Sequence, residues 1–460
     1  MKEYKSSYYN FIKDYGENKI AYNSKTGAVC LIEKDSTDKF MQIIENPEAA
    51  DHTEEFFKNI LEEGFIVEKD HDELQDLKEL NHMVSSVSNV LRLTILPTET
   101  CNFTCPYCFI YTHRNKHMLE KTWKALFKLC QDFCEKNKDE KGFLLNLIWY
   151  GGEPLLVGKK IIEFMNKINN LLSQYPNGTL QSSILTNGYL LDFEMFQQLC
   201  RVNVRHIQVT VDGDAENHDK LRTLANNQPT FDKIYSNLLS IKENVLKDEK
   251  FTFAIRCNFL KSSVESSKRL IELFKKDFSQ DKRFSLYFRP VYDFETDHES
   301  DEIEKSDFFG MTEGIQKQNE LLLLTGQDIK HEYSVSNPLP EPIPSWCDSV
   351  NQNAYIIGYD GSIYICDTLI TESEKAVGVL NDDGTITLKE EAKCWRKSIF
   401  ERFDEVDGGS VQECIQCKLL PVCMGGCVRT RINNKGKACF WTEELIYKAM
   451  DEYAKLYGST

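Results

Sequence analysis

Apolar runs suited to strands occur at residues 91–96, 144–149, 183–186, 206–211, 251–258 and 284–288, and helix-length amphipathic segments such as 121–135 and 161–172 separate several of them. This alternation constrains the fold more than any other feature, because parallel neighbours need long crossovers and helices are the usual crossover. It predicts an α/β chain built on a partial (β/α)6 barrel of the TIM type. In such a barrel chemistry belongs at the C-terminal ends of the strands.

The flanks read differently. Residues 19–22 and 28–32 predict a β-hairpin around Asn23-Ser24-Lys25-Thr26-Gly27, followed by a helix near 39–44. Thr53 is placed to cap a second helix carrying Phe56, Phe57, Ile60 and Leu61, with Gly64 at its end and a short strand at 65–67. Residues 1–75 are thus expected to form a small winged-helix-like α+β domain, and 76–89 a helical linker. The barrel then spans 90–337. Four prolines within 338–344 mark a boundary, and residues 338–460 form a cysteine-rich region ending in an amphipathic helix near 441–456.

Composition narrows the partners. The 460 residues carry 55 basic and 72 acidic side chains, a net charge of −17, which repels nucleic-acid phosphates and anionic lipid. No run of 18 apolar residues occurs, and Met1-Lys2-Glu3-Tyr4-Lys5 does not open an export signal. A cytoplasmic protein with neither nucleic-acid nor membrane partners is expected. In a long, acidic chain of that kind, 16 cysteines point to reduced metal-ligating thiols rather than disulfides.

Ten of these cysteines fall into two patterns. The first follows the first barrel strand, where Cys101-x3-Cys105-x2-Cys108 carries Tyr107 before its last cysteine. Three thiolates on one loop can hold three irons of a four-iron cluster and leave the fourth open; a zinc loop lacking a ligand, or unrelated cysteines, are the alternatives. Trp149-Tyr150-Gly151-Gly152-Glu153-Pro154 ends the second strand and Thr186-Asn187-Gly188 the third. Thr210-Val211-Asp212-Gly213, with His218, Asp219 and Arg222, ends the fourth. Helix capping and surface polarity would also account for His218 and Asp219. Arg256 and Asn258 on the fifth strand are less specific.

The loop and the strand ends resemble those of radical S-adenosylmethionine (radical SAM) enzymes. That resemblance implies a four-iron cluster on Cys101, Cys105 and Cys108 whose open iron binds SAM, and reductive cleavage to a 5′-deoxyadenosyl radical. It also implies an external electron donor such as flavodoxin or ferredoxin. Gly151, Gly152 and Glu153 would face the methionine amino group, with Tyr107, Thr186, Asn187, Thr210 and Asp212 as further SAM contacts. Arg222 would fork onto the SAM carboxylate.

The second pattern is Cys347, Gly361 and Cys366, then Cys414-x2-Cys417-x5-Cys423-x3-Cys427, then Cys439 after 11 residues. The four clustered thiols alone would also suit a zinc knuckle. The whole pattern resembles the SPASM domain. By that resemblance Cys414, Cys417, Cys423 and Cys439 hold a distal auxiliary cluster, and Cys347, Cys366 and Cys427 a proximal one, making three four-iron clusters. No cysteine lies just upstream of Cys347 to complete the proximal set. Cys130 and Cys134, on one helix face, read as buried small hydrophobes.

The N-terminal pattern is similar to the leader-recognition element of radical SAM peptide maturases, a dimerisation module being the alternative. Together the resemblances imply a maturase acting on a ribosomally made precursor peptide by hydrogen abstraction and oxidative crosslinking, with thioether formation preferred. Asp367, directly after Cys366, is the candidate proton acceptor, a capping or solvent-facing role being the alternative. The alternatives are an anaerobic sulfatase-maturing enzyme making formylglycine, a carbon-carbon crosslinking cyclase, and a non-enzymatic peptide-binding scaffold.

Overall fold

A computed structural model describes residues 2–108, 110, 115–292, 303–327, 338–370, 373–401, 411–434 and 436–458. Phe109, residues 328–337 before the proline-rich boundary and the side chain of Cys394 lie outside the described set.

Five short strands precede the barrel: β1 (Tyr4–Ser6), β2 (Asn10–Tyr15), β3 (Asn18–Asn23), β4 (Val29–Ile32) and β5 (Ile66–Glu68). The expected hairpin is the β3–β4 pair, and β2 completes an antiparallel sheet of order β2-β3-β4. β1 pairs antiparallel with β5, Ser6 opposite Ile66. Sequence reading missed β1 because three partly exposed residues show no alternation. Helices Lys34–Glu45 and Glu55–Glu62 lie between β4 and β5, and Gly64 takes the left-handed φ of +80° expected of it. Thr53 does not cap the second helix. Its hydroxyl donates to Asp51 at 2.7 Å, and the helix starts after Glu54 with no side-chain cap.

This small sheet is cored by distant sequence. Phe11, Ile20 and Tyr22 pack with Leu419, Val422, Ile446 and Met450, from the cysteine-rich segment and the C-terminal helix Glu443–Tyr457. Lys418 Nζ donates to the Asn10 carbonyl at 3.2 Å, and Ser24 Oγ donates to the Lys418 carbonyl at 2.5 Å. One compact unit therefore gathers Met1–Val87, Asn337–Gln352 and Cys394–Thr460.

The other unit comprises Ser88–Ser336 and Asn353–Lys393. Six parallel strands run in sequential order: β6 (Val90–Ile95), β7 (Phe143–Trp149), β8 (Gly178–Thr186), β9 (His206–Thr210), β10 (Thr252–Phe259) and β11 (Phe284–Pro290). This is the expected six-repeat barrel sheet. In β10 Phe253, Ile255, Cys257 and Phe259 are buried while Arg256 and Asn258 take the alternate face, so the strand offers polar groups on one side only. Cys130 and Cys134 are fully buried in the helix Glu120–Lys136, as small hydrophobes would be.

Residues 354–388 extend this sheet rather than standing apart. β12 (Ala354–Ile357) pairs parallel with β6, and β13 (Ser362–Tyr364), β14 (Gly378–Leu380) and β15 (Ile386–Leu388) follow antiparallel. The segment 338–460 is thereby divided between the two units, because one part satisfies the open edge of β6 and the other shares a core with the N-terminal sheet. Among the described residues, no helix is long and apolar enough to cross a membrane.

Candidate active site

The cysteine loop leaves the end of β6 and is pinned at both sides. The Thr104 and Ala225 amides donate to the Thr223 and Asn102 carbonyls, each at 3.1 Å, and the Cys108 amide closes a turn onto the Cys105 carbonyl at 3.1 Å. Cys101, Cys105 and Cys108 lie within one another's electrostatic field. Desolvation pushes the Cys101 and Cys105 thiols up to about 12, while Arg222 acts in the opposite sense on all three. Free thiols here stay protonated. Iron reverses this, because a coordinating thiol is deprotonated outright.

The Gly151-Gly152-Glu153 turn at the end of β7 clamps that loop. Gly152 N–H donates to Thr98 O at 3.0 Å and Glu153 N–H to Thr100 O at 2.8 Å. A Cβ on Gly152 would stand 2.3 Å from Thr100 O, and one on Gly151, at φ +115°, 2.5 Å from Thr98 O. Only bare backbone fits so close to another carbonyl. The glycines thus bring two loops together, a role the sequence reading did not assign them.

Glu153 is fully buried, and its carboxylate accepts from Thr186 Oγ1 at 2.6 Å, Asn187 N–H at 2.8 Å and Leu155 N–H at 3.0 Å. Three of its roughly four lone-pair sites are filled. Burial raises its pKa against those three bonds. The bonds to Thr186 and Asn187 tie the end of β8 to that of β7. Asn187 continues the link: its Nδ2 donates to Asn102 Oδ1 at 2.7 Å and lies 4.0 Å from Cys101 Sγ.

Asp212, after β9, is also fully buried. It accepts the Tyr107 hydroxyl proton and the Asn258 N–H, the latter at 2.8 Å. Arg222 Nη1 donates to the Tyr107 oxygen at 2.6 Å and lies 3.6 Å from Asp212 Oδ2. Desolvation raises the Asp212 pKa while Arg222 and Tyr107 oppose it. Tyr107, Asp212 and Arg222 therefore form one buried group that joins the cysteine loop to the ends of β9 and β10. Among the described residues Arg222 Nε is buried without a hydrogen-bond partner, a donor left for an anion. Thr210 is partly exposed at the end of β9, opposite Arg256.

His218 is not a surface residue. It is fully buried, its Nδ1 accepts from Asp212 N–H at 3.1 Å, and its Nε2 meets Thr230 Oγ1 at 3.1 Å. Accepting at Nδ1 requires a neutral ring, and burial with the nearby Arg222 holds its pKa well below the ordinary value. Asp219 does cap a helix, but the one beginning at Phe231: it accepts from Thr230 and Phe231 N–H at 2.8 and 2.9 Å. Sequence distance concealed that partner.

The donor set fits a SAM-binding cluster. Three neighbouring thiols, an unpartnered buried guanidinium N–H and a glycine turn that a Cβ would block converge at the strand ends. Among the described residues no three His, Cys, Asp or Glu side chains are grouped to hold a single metal ion. A four-iron cluster asks for a wider arrangement, since each thiolate holds a separate iron.

The remaining cysteines divide between the units. Cys414, Cys417 and Cys439 all act electrostatically on Cys423, whose thiol desolvation pushes up to about 12. Gly426 permits that gathering: a Cβ there would stand 2.1 Å from Ala438 O, so bare backbone admits the chain entering Cys439. Cys347 and Cys427 are electrostatic neighbours in the same unit. Cys366 belongs to the barrel unit, its sulfur 3.1 Å from Thr368 Oγ1. Asp367 is exposed next to it, and its charge acts on the Tyr150 hydroxyl at the end of β7.

Residues 95–256 match the family profile described as "Radical SAM superfamily". That stretch runs from the end of β6, through the cysteine loop, to Arg256, so this part of the barrel is a radical SAM domain. The chain is therefore an enzyme carrying a radical SAM domain over residues 95–256, for which SAM and a four-iron cluster are the implied cofactors. It is 25% identical over 358 residues, 75% of this chain and 89% of the relative, to a cysteine-type anaerobic sulfatase-maturating enzyme of Clostridium novyi (strain NT). It is 24% identical over 235 residues, 43% of this chain and 47% of the relative, to the radical SAM cyclopropyl synthase TigE of Paramaledivibacter caminithermalis. The fold is similar to that of the solved structure "Native anSMEcpe with bound AdoMet", with a TM-score of 0.53 and 21% identity over 79% of this chain and 97% of that one.

Proposed function

We propose that this enzyme is a maturase of ribosomally made peptides, using hydrogen abstraction and two-electron oxidation to crosslink a precursor. The observation that carries this reading is the small N-terminal sheet built into the same compact unit as the distal cysteines. Among the described residues β2 and β4 each pair with β3 alone in that sheet, leaving strand edges of the kind an extended peptide joins through backbone hydrogen bonds. Relatives named as a cyclopropyl synthase, a PqqA peptide cyclase and sulfatase-maturating enzymes support a peptide or protein substrate.

Within the barrel, SAM bound at the open iron would supply a hydrogen-abstracting radical on one-electron reduction. Cys101, Cys105 and Cys108 would hold the cluster, Arg222 Nε would offer its N–H to the SAM carboxylate, and Thr210 would offer a hydroxyl at the end of β9. Glu153, Tyr107 and Asp212 keep those groups in place through the bonds already described. Asp367 takes the proton released when the substrate nucleophile attacks. The C-terminal cysteines would hold two auxiliary clusters, which would supply an acceptor for the remaining electron. Thioether closure rests on the sequence pattern: the proximal set has three thiolates and no cysteine just upstream of Cys347, which leaves an iron for a substrate thiol.

The test is anaerobic turnover of the reconstituted protein with SAM, dithionite and the peptide encoded by the short open reading frame beside its gene. The expected result is 5′-deoxyadenosine together with a peptide lighter by two hydrogens. SAM cleavage without any peptide change would refute the substrate assignment. The 25% identity to a sulfatase-maturating enzyme favours formylglycine formation as the second reading. Conversion of a sulfatase-derived cysteine peptide, with the precursor untouched, would select it.

A further inference from the structure

Arg431 is a residue outside both cysteine patterns. It lies in the helix Val428–Asn434, one turn beyond Cys427, and its N–H bonds the Cys427 carbonyl at 3.0 Å. Its side chain is 1% exposed, one of the largest fully buried side chains described. Nη1 donates to Cys414 Sγ at 3.2 Å and to the Gly425 carbonyl at 3.2 Å. The same side chain lines a cavity with Trp346, Cys347 and Gly426. Trp346 in turn stacks on Phe440, ring centroids 4.1 Å apart, which joins the neighbour of Cys347 to the neighbour of Cys439.

Burying a guanidinium is costly unless it faces negative charge. A cluster thiolate supplies such charge, and a hydrogen bond to it from a cation is stronger than one between neutral groups. Arg431 is permanently protonated and planar, so the donor aimed at Cys414 is present in both oxidation states of a cluster bound there. One-electron reduction adds a negative charge beside that donor, and the interaction strengthens. Hydrogen bonds to the sulfurs and nearby charge are among the terms that set iron-sulfur potentials.

We propose that Arg431 is a positioning residue that raises the reduction potential of the distal auxiliary cluster through its bond to Cys414, making that cluster the preferred acceptor of an electron leaving the substrate. The proposal rests on Cys414, Cys417, Cys423 and Cys439 holding a four-iron cluster, and the test separates the two claims.

The background is the full chain with Cys101, Cys105 and Cys108 replaced by Ala, reconstituted anaerobically so that only auxiliary clusters remain. Iron analysis comes first. If Ala replacement of Cys414, Cys417, Cys423 and Cys439 removes no iron from this background, the cluster assignment falls and the proposal with it. Otherwise Arg431→Gln and Arg431→Lys are titrated with dithionite and followed by electron paramagnetic resonance. The expected result is unchanged iron, with one signal shifted to a lower potential. In the Gln variant about a tenfold smaller reduced-to-oxidised ratio is expected at a fixed potential, 59 mV for a one-electron couple. The Lys variant, which keeps the charge and loses the fork, should fall between. Unchanged potentials at full iron content would overturn the proposal. So would loss of the distal irons in both variants, since Arg431 would then hold the fold rather than tune the cluster.

Discussion

Arg222 donates to the Tyr107 hydroxyl at 2.6 Å, and that hydroxyl donates in turn to Asp212, so one phenol bridges a buried cation and a buried carboxylate. The bridge fixes the last turn of the cysteine loop against the fourth barrel strand. Tyr107→Phe removes it and leaves two buried charged groups without their shared partner, at a cost of about 1–3 kcal/mol. The variant should unfold at lower denaturant and bind SAM about tenfold more weakly, equivalent to about 1.4 kcal/mol. Chemical denaturation and calorimetric titration with SAM measure the two effects; unchanged SAM affinity would mean the bridge only stabilises the loop.

Replacing Cys101, Cys105 and Cys108 with Ala should abolish 5′-deoxyadenosine formation. The remaining seven patterned cysteines should keep about eight of about 12 irons, four per cluster. Iron analysis alongside chromatography of the nucleoside checks both halves. Persistent SAM cleavage would refute the cluster's place in the barrel.

Gly152→Ala sets a methyl group 2.3 Å from the Thr100 carbonyl, a distance that no rotamer can relieve. The loop must move, and a displacement near 1 Å at a reacting centre costs on the order of 10²-fold in rate. Single-turnover SAM cleavage should fall by about that factor while the fold, read by circular dichroism, persists.

Deleting residues 1–75 looks from the sequence like the removal of a separable recognition domain. The shared core makes it something else, because Phe11, Ile20 and Tyr22 cover Leu419, Val422 and Met450. Each such side chain contributes roughly 1.5–3 kcal/mol of burial. The truncated chain should lose about four irons, those of the distal cluster, as well as peptide turnover. Full iron content after truncation would show that the cysteine region folds without the sheet.

Asp367→Asn should slow peptide product formation more than 5′-deoxyadenosine formation, by about 10²-fold if the carboxylate is the general base. Equal slowing of both, measured in the same anaerobic assay, would return Asp367 to a solvent-facing role.

The barrel was legible in the chain itself. Strand-length segments alternating with amphipathic helices, and a cysteine triad at fixed spacing, both show in a local window. The glycine turn was visible too, though not its purpose: no local pattern shows that Gly152 faces the Thr100 carbonyl rather than a ligand. The same limit hid the bonds of Glu153 to Thr186 and Asn187, the burial of His218, and Arg431 against Cys414. It also hid the union of the N-terminal sheet with the C-terminal helix, and the entry of residues 354–388 into the barrel sheet. Propensity and periodicity act over a few residues, whereas these contacts close across tens to hundreds, and which buried group meets which is decided only when the elements pack.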